Sequence, residues 1–164
     1  MNLRLHPDYV RAIMFGAEDA LISTTGSIIG LSVGVETRNL IIMAALVYIT
    51  VEGVSMAAGQ FLSERTVHEM DKRKHTDNLY MGSGVMFLSY FLASMIPLAP
   101  FLVLPVKPAA FSAIVSALLF LFTLGYVKGK ALSISSTRSG LEMLFVGGLA
   151  ASIGVLVGFF LRAV

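Results

Sequence analysis

Glu18 and Asp19 are adjacent carboxylates planted in an apolar run, MFGAEDALISTTGSIIGLSVGV, with a hydroxyl cluster, Ser23, Thr24, Thr25 and Ser27, just beyond them. Glu52 lies in a second apolar run, and Glu142 stands near the start of the last one. No lysine, arginine or histidine lies deep in any of these runs. An ionisable group at the centre of a bilayer costs roughly 2.5–3.5 kcal/mol on insertion scales, so it faces a cavity or a partner. Acids without a protein counter-charge must be protonated or must meet a cation.

Tyr48, Glu52, Met56 and Gln60 follow one another at i+4, along one slowly drifting helix face. Oxygen ligands alone suit magnesium or calcium. A thioether one turn from a carboxylate favours a transition metal such as iron(II), with manganese, cobalt and zinc also compatible. The chain then reads SERTVHEMDKRKHTDN. Glu64, His68, Asp71 and His75 share a helix face there, and with Glu69 and Glu142 they could form a shallow cation-collecting surface. The same pattern fits an amphipathic helix whose Arg65, Lys72, Arg73 and Lys74 meet anionic headgroups. His68-Glu69 is not a zinc-protease motif, because Lys72 stands where the second histidine is needed.

These side chains need membrane-spanning elements to hold them. The chain has 164 residues, 56% hydrophobic and 13% charged, with a mean hydropathy of +0.82. A soluble domain carries about a quarter charged residues. The composition is that of a single all-α membrane domain over residues 1–164. Five segments are long and apolar enough to span: about 9–35, 39–62, 80–104, 109–127 and 140–161. Residues 63–79 read as a helical extension into water, and 128–139 as a basic, Ser-rich loop. Pro97 and Pro100 should kink the outer half of the third span.

With the N-terminus inside, Arg4, Arg11, Arg65, Lys72, Arg73, Lys74, Lys128, Lys130 and Arg138 all fall on the inner side. Only Arg38, Lys107 and Arg162 fall outside. Cations near span ends resist translocation, so the N-terminus is expected in the cytoplasm and the C-terminus outside. Gly26, Gly30 and Gly34, like Ala150, Gly154 and Gly158, recur at four-residue spacing. Such stripes let backbones approach closely, within one bundle or across a subunit interface. There are no cysteines, which excludes disulfides and thiolate metal sites. No nucleotide-binding loop or nucleophile–base arrangement is present, and a net charge of +2 does not point to nucleic acid. An enzyme is therefore not expected.

Four stretches resemble the vacuolar iron transporter family: FGAEDALISTTGSIIG, VSMAAGQFLSER, SMIPLAPF and STRSGLEMLFVGGLAA. The likeness runs from about Arg11 to the C-terminus. It implies a homodimeric exporter of ferrous iron working by proton exchange, with the metal path between the two first spans and no permanently bound cofactor. Asp19 matches the family's first-span metal and proton site, and Met56 its second-span thioether ligand. Family members often carry Asn-Asp-Gly where this chain has Glu18-Asp19-Ala20. Some carry a glutamate where Tyr48 stands, a role that Glu52 would take one turn later. The long cytoplasmic metal-binding insertion of eukaryotic members is missing, which points to a prokaryotic plasma membrane. A passive metal channel would use the same ligands. A protein without transport, pairing its acids with a partner's basic span, would not bind metal.

Overall fold

The computed structural model describes residues 6–71 and 77–162. Arg4, Lys72, Arg73, Lys74 and His75, used in the charge and collecting-face arguments, lie outside them. The regular elements are five helices: α1 Pro7–Gly34, α2 Arg38–Met70, α3 Leu79–Val103, α4 Val106–Ala131 and α5 Ser136–Arg162. The described residues contain no strand.

The helix ends follow local chemistry. Pro7 sits in the first turn of α1, where a missing N–H costs nothing. The Asn78 side chain caps α3 by accepting from the backbone N–H groups of Tyr80 and Met81. α3 continues as helix through Pro97 and Pro100. The expected loop over 128–139 is mostly helix: α4 runs to Ala131 and α5 starts at Ser136. Lys128 and Lys130 therefore lie in the last turn of α4, where their charge offsets the helix dipole. Gly125 and Gly129 let α5 come so close that an added Cβ on Gly129 would meet Ser139 Cβ at 3.2 Å.

α2, α3, α4 and α5 are each long and apolar enough to cross a bilayer. α1 is not among them, so composition supports four of the five expected spans. The reason is visible in its sequence: Glu18, Asp19 and five serine and threonine residues lower its apolar character. Its position compensates, because α1 packs against every other helix. A helix shielded by its neighbours need not be greasy all round. At 28 residues it is about 42 Å long, enough to accompany them across a membrane.

Two contacts fix α1. Against α3, Ala12, Gly16 and Ala20 are buried, and a Cβ on Gly16 would stand 3.0 Å from Met86 O. Against α5, Gly26 and Gly30 pack on Ala150 and Gly154. A Cβ on Gly30 would come 2.8 Å from Gly154 O, and one on Gly158 would collide with Gly30 O. The first two members of the α1 glycine stripe thus serve packing inside one chain. Gly34 meets nothing within 4 Å. Tyr90 and Phe101 of α3, Ile28 of α1 and Ile41 and Ile49 of α2 are fully buried in one shared core.

Candidate metal path

The hydroxyl cluster on α1 splits into two uses. Thr24 Oγ1 donates to Ser94 Oγ at 3.1 Å, and Ser94 Oγ donates to Tyr90 O at 2.8 Å, all buried. Thr25 Oγ1 bonds back to Leu21 O within its own helix. Ser23 Oγ and the Tyr90 hydroxyl are 3.1 Å apart. The Ser23–Tyr90 and Thr24–Ser94 bonds staple α1 to α3, as buried polar groups in a membrane interior require. Ser23 and Ser27 have a second role, since both line an open cleft of about 520 Å³. Ile22, Gly26, Gly30 and Leu31 of α1 line it too, Tyr48 of α2 contributes from one side and Ala150 to Gly158 of α5 from the other.

Asp19 lies one turn before Ser23 on the same face of α1, and Ser27 one turn beyond. A polar row thus leads from the acid into the cleft. Glu18 and Asp19 are both partly exposed rather than sealed in the core. Glu52, on α2, is also half-buried, and its charge, like that of Glu18, acts on Asp19. Met56 is half-buried one turn further along α2, packed against the core. The fold therefore brings Asp19 and Glu52 into electrostatic range, with Met56 on the same α2 face as Glu52.

α2 runs without a break from Arg38 to Met70. Tyr48, Glu52, Met56, Gln60, Glu64 and His68 are all half-buried along it. The four-residue series in the apolar segment and the Glu64–His68 pair in the polar one are one row. It spans about 30 Å, at 1.5 Å per residue. Gln60 Nε2 donates to Glu64 Oε1 at 3.1 Å, and Arg11 of α1 forms an ion pair with Glu64. His68 Nε2 lies 3.0 Å and 3.1 Å from the two carboxylate oxygens of Asp77. Glu64, His68 and Asp77 offer ligand atoms within 4.8 Å of one another, the one such trio among the described residues.

The remaining expected collecting residues lie elsewhere. Glu69 is exposed and pairs with Arg65 at 2.8 Å, and Glu142 is exposed and pairs with Arg138 at 3.0 Å. Asp71 forms the C-cap of α2 and is not one of that trio. His75 is outside the described residues. Asp77 had no sequence signal, because helical spacing within α2 says nothing about a residue beyond the end of that helix. Arg11 was read only as an inner-side charge.

A family model described as the VIT family matches residues 10–81 and 67–159, which together cover most of the chain. The chain belongs to the VIT family. This is the vacuolar iron transporter family indicated by the four sequence stretches above. With four apolar helices of spanning length, this VIT protein is a multi-pass integral membrane protein of a metal-ion transporter family. No curated protein sequence shows a significant match to it.

Proposed function

We propose that this VIT protein exports ferrous iron from the cytoplasm in exchange for protons, with manganese, cobalt or zinc as further cargo. The observation that carries this is the approach of Asp19 and Glu52, two acids on different helices, beside a cleft without any basic side chain among its lining residues. Protons and metal compete for the same carboxylate oxygens in this reading, and no ion pair among the described residues engages Asp19 or Glu52. An arriving divalent ion displaces the protons and is held by carboxylate oxygen and the Met56 thioether. Opening to the other side reverses the exchange. Glu18 supplies an additional carboxylate next to Asp19.

The working unit in this reading is a homodimer. The α1 face bearing Phe15, Glu18, Asp19, Ser23 and Ser27 is only partly covered by α2 and α5. Lipid cannot solvate carboxylates, whereas the same face of a second copy doubles the ligand set around a shared cation. The cation bias supports a cytoplasmic N-terminus in this reading. Arg11 and Arg65 fall at the end of the bundle where Tyr9 meets Asn78. A prokaryotic plasma membrane is the proposed location.

The test is iron(II) uptake into proteoliposomes under reducing conditions, with a pH dye in the lumen. Uptake accompanied by proton efflux supports the exchanger. Uptake with no change in lumenal pH would replace it with a channel. No flux of any of the four metals would refute transport itself.

A further inference from the structure

The α2 row does not end at the membrane path, and its inner end is chemically different. Glu64 and His68 lie one turn apart on α2, while Asp77 comes from the segment just before α3. The donor set is two carboxylates and one imidazole, with no sulfur. We propose that Glu64, His68 and Asp77 form a second metal site, taking a divalent transition-metal ion before it reaches Asp19, Glu52 and Met56.

Three observations carry the proposal. The first is convergence across two elements. One ligand atom from each residue falls within a 4.8 Å sphere of separations, and His68 Nε2 is 3.0 Å from Asp77 Oδ2. Donors at right angles around an ion with bonds of about 2.1 Å stand about 3 Å apart, so small side-chain rotations complete the geometry. The second is burial. The side chains of Glu64, His68 and Asp77 are only 12%, 21% and 7% exposed. Such groups are sheltered from bulk water, unlike Glu69 and Glu142, at 63% and 65%. The third is the present partner of Glu64. Arg11 holds that carboxylate, and its own side chain is 60% exposed, free to swing into water when an ion arrives. A divalent ion balances the charge of both carboxylates once the guanidinium leaves, with a neutral imidazole as third ligand.

The chemistry selects a class of ion. One imidazole among oxygen donors favours iron(II), cobalt(II), zinc(II) or manganese(II) over magnesium and calcium. The position gives a role. Met56 is two turns further along the same helix from Glu64, about 12 Å at 1.5 Å per residue. Filling the site also releases the tie between α1 and α2 through Arg11, which couples metal arrival to freedom of the α1 start. That the site loads the membrane path rests on the transport reading above. That it binds metal does not.

The test uses full-length protein in detergent, carrying Asp19→Asn and Met56→Leu to weaken the membrane site, titrated with cobalt(II) alone. The expected result is roughly one tightly held cobalt per chain, in a site of imidazole and carboxylate ligands. Manganese(II) in its place should show nitrogen coupling in its magnetic resonance spectrum. His68→Ala and Asp77→Asn each weaken binding at least about tenfold, and the nitrogen signal vanishes in the first. Arg11→Gln tightens binding severalfold, a gain that misfolding cannot produce. Unchanged cobalt binding in His68→Ala, or no cobalt bound by the starting protein, overturns the site. Liposome flux by the wild-type chain separates the two readings. Intact cobalt binding without flux overturns the exchanger alone, and flux without cobalt binding overturns this site alone.

Discussion

At the residue scale, the proposed path gives Asp19 and Met56 different parts of the chemistry. Asp19→Asn keeps the size of the side chain and removes the charge that a cation needs. Iron(II) flux in proteoliposomes should fall at least about tenfold, the scale on which metal sites respond to losing a partner. Met56→Leu keeps the volume and removes the sulfur. It should weaken iron(II) or cobalt(II) transport by up to about tenfold while manganese(II), a harder ion, changes less. Equal losses for both metals would show that Met56 acts through packing. These two positions were legible because a carboxylate in an apolar run, and a thioether one turn from a second carboxylate, are visible in one dimension. Asp77 was not, since it lies beyond the end of α2 and its meeting with His68 depends on the tertiary fold. The hydroxyls of Ser23 and Thr24 were legible as a cluster, but their bonds to Tyr90 and Ser94 depend on how α1 faces α3.

At the element scale, the glycine spacing announced close helix packing without naming the partner. The structure gives it: Gly26 and Gly30 of α1 lie on Ala150 and Gly154 of α5. Gly154→Ala forces a methyl group into the backbone of Gly26 and should cost about 1–3 kcal/mol, read as a lower melting temperature in detergent. Gly34→Ala meets nothing and should leave the melting temperature unchanged or slightly raised. Equal destabilisation by both would contradict the packing of α1 on α5. The five helices were readable from their apolar lengths. The first of them, α1, is the one whose polar residues keep it below the apolar character of the other four. Its place among all four neighbours explains how such a helix is tolerated. The short α4–α5 connection was read as too long, because lysines and serines in sequence look like loop when they are the last turn of one helix and the start of the next.

At the scale of the whole molecule, one chain leaves Phe15, with 53% of its surface exposed, beside Glu18 and Asp19 on a face that α2 and α5 only flank. The chain has no cysteine, so single cysteines report neighbours cleanly. Phe15→Cys and Ser27→Cys should form intermolecular disulfides in native membranes, while Leu119→Cys, on the exposed surface of α4, should not. Cross-linking only at position 119 would place the dimer elsewhere. The central claim is that metal and protons move in opposite directions through the Asp19–Glu52 region. The most direct measurement imposes a pH gradient across proteoliposomes with equal iron(II) on both sides. An exchanger concentrates iron in the acidic compartment, reverses when the gradient is reversed, and loses the effect in Asp19→Asn. Iron that stays equal on both sides whatever the pH gradient would contradict the account.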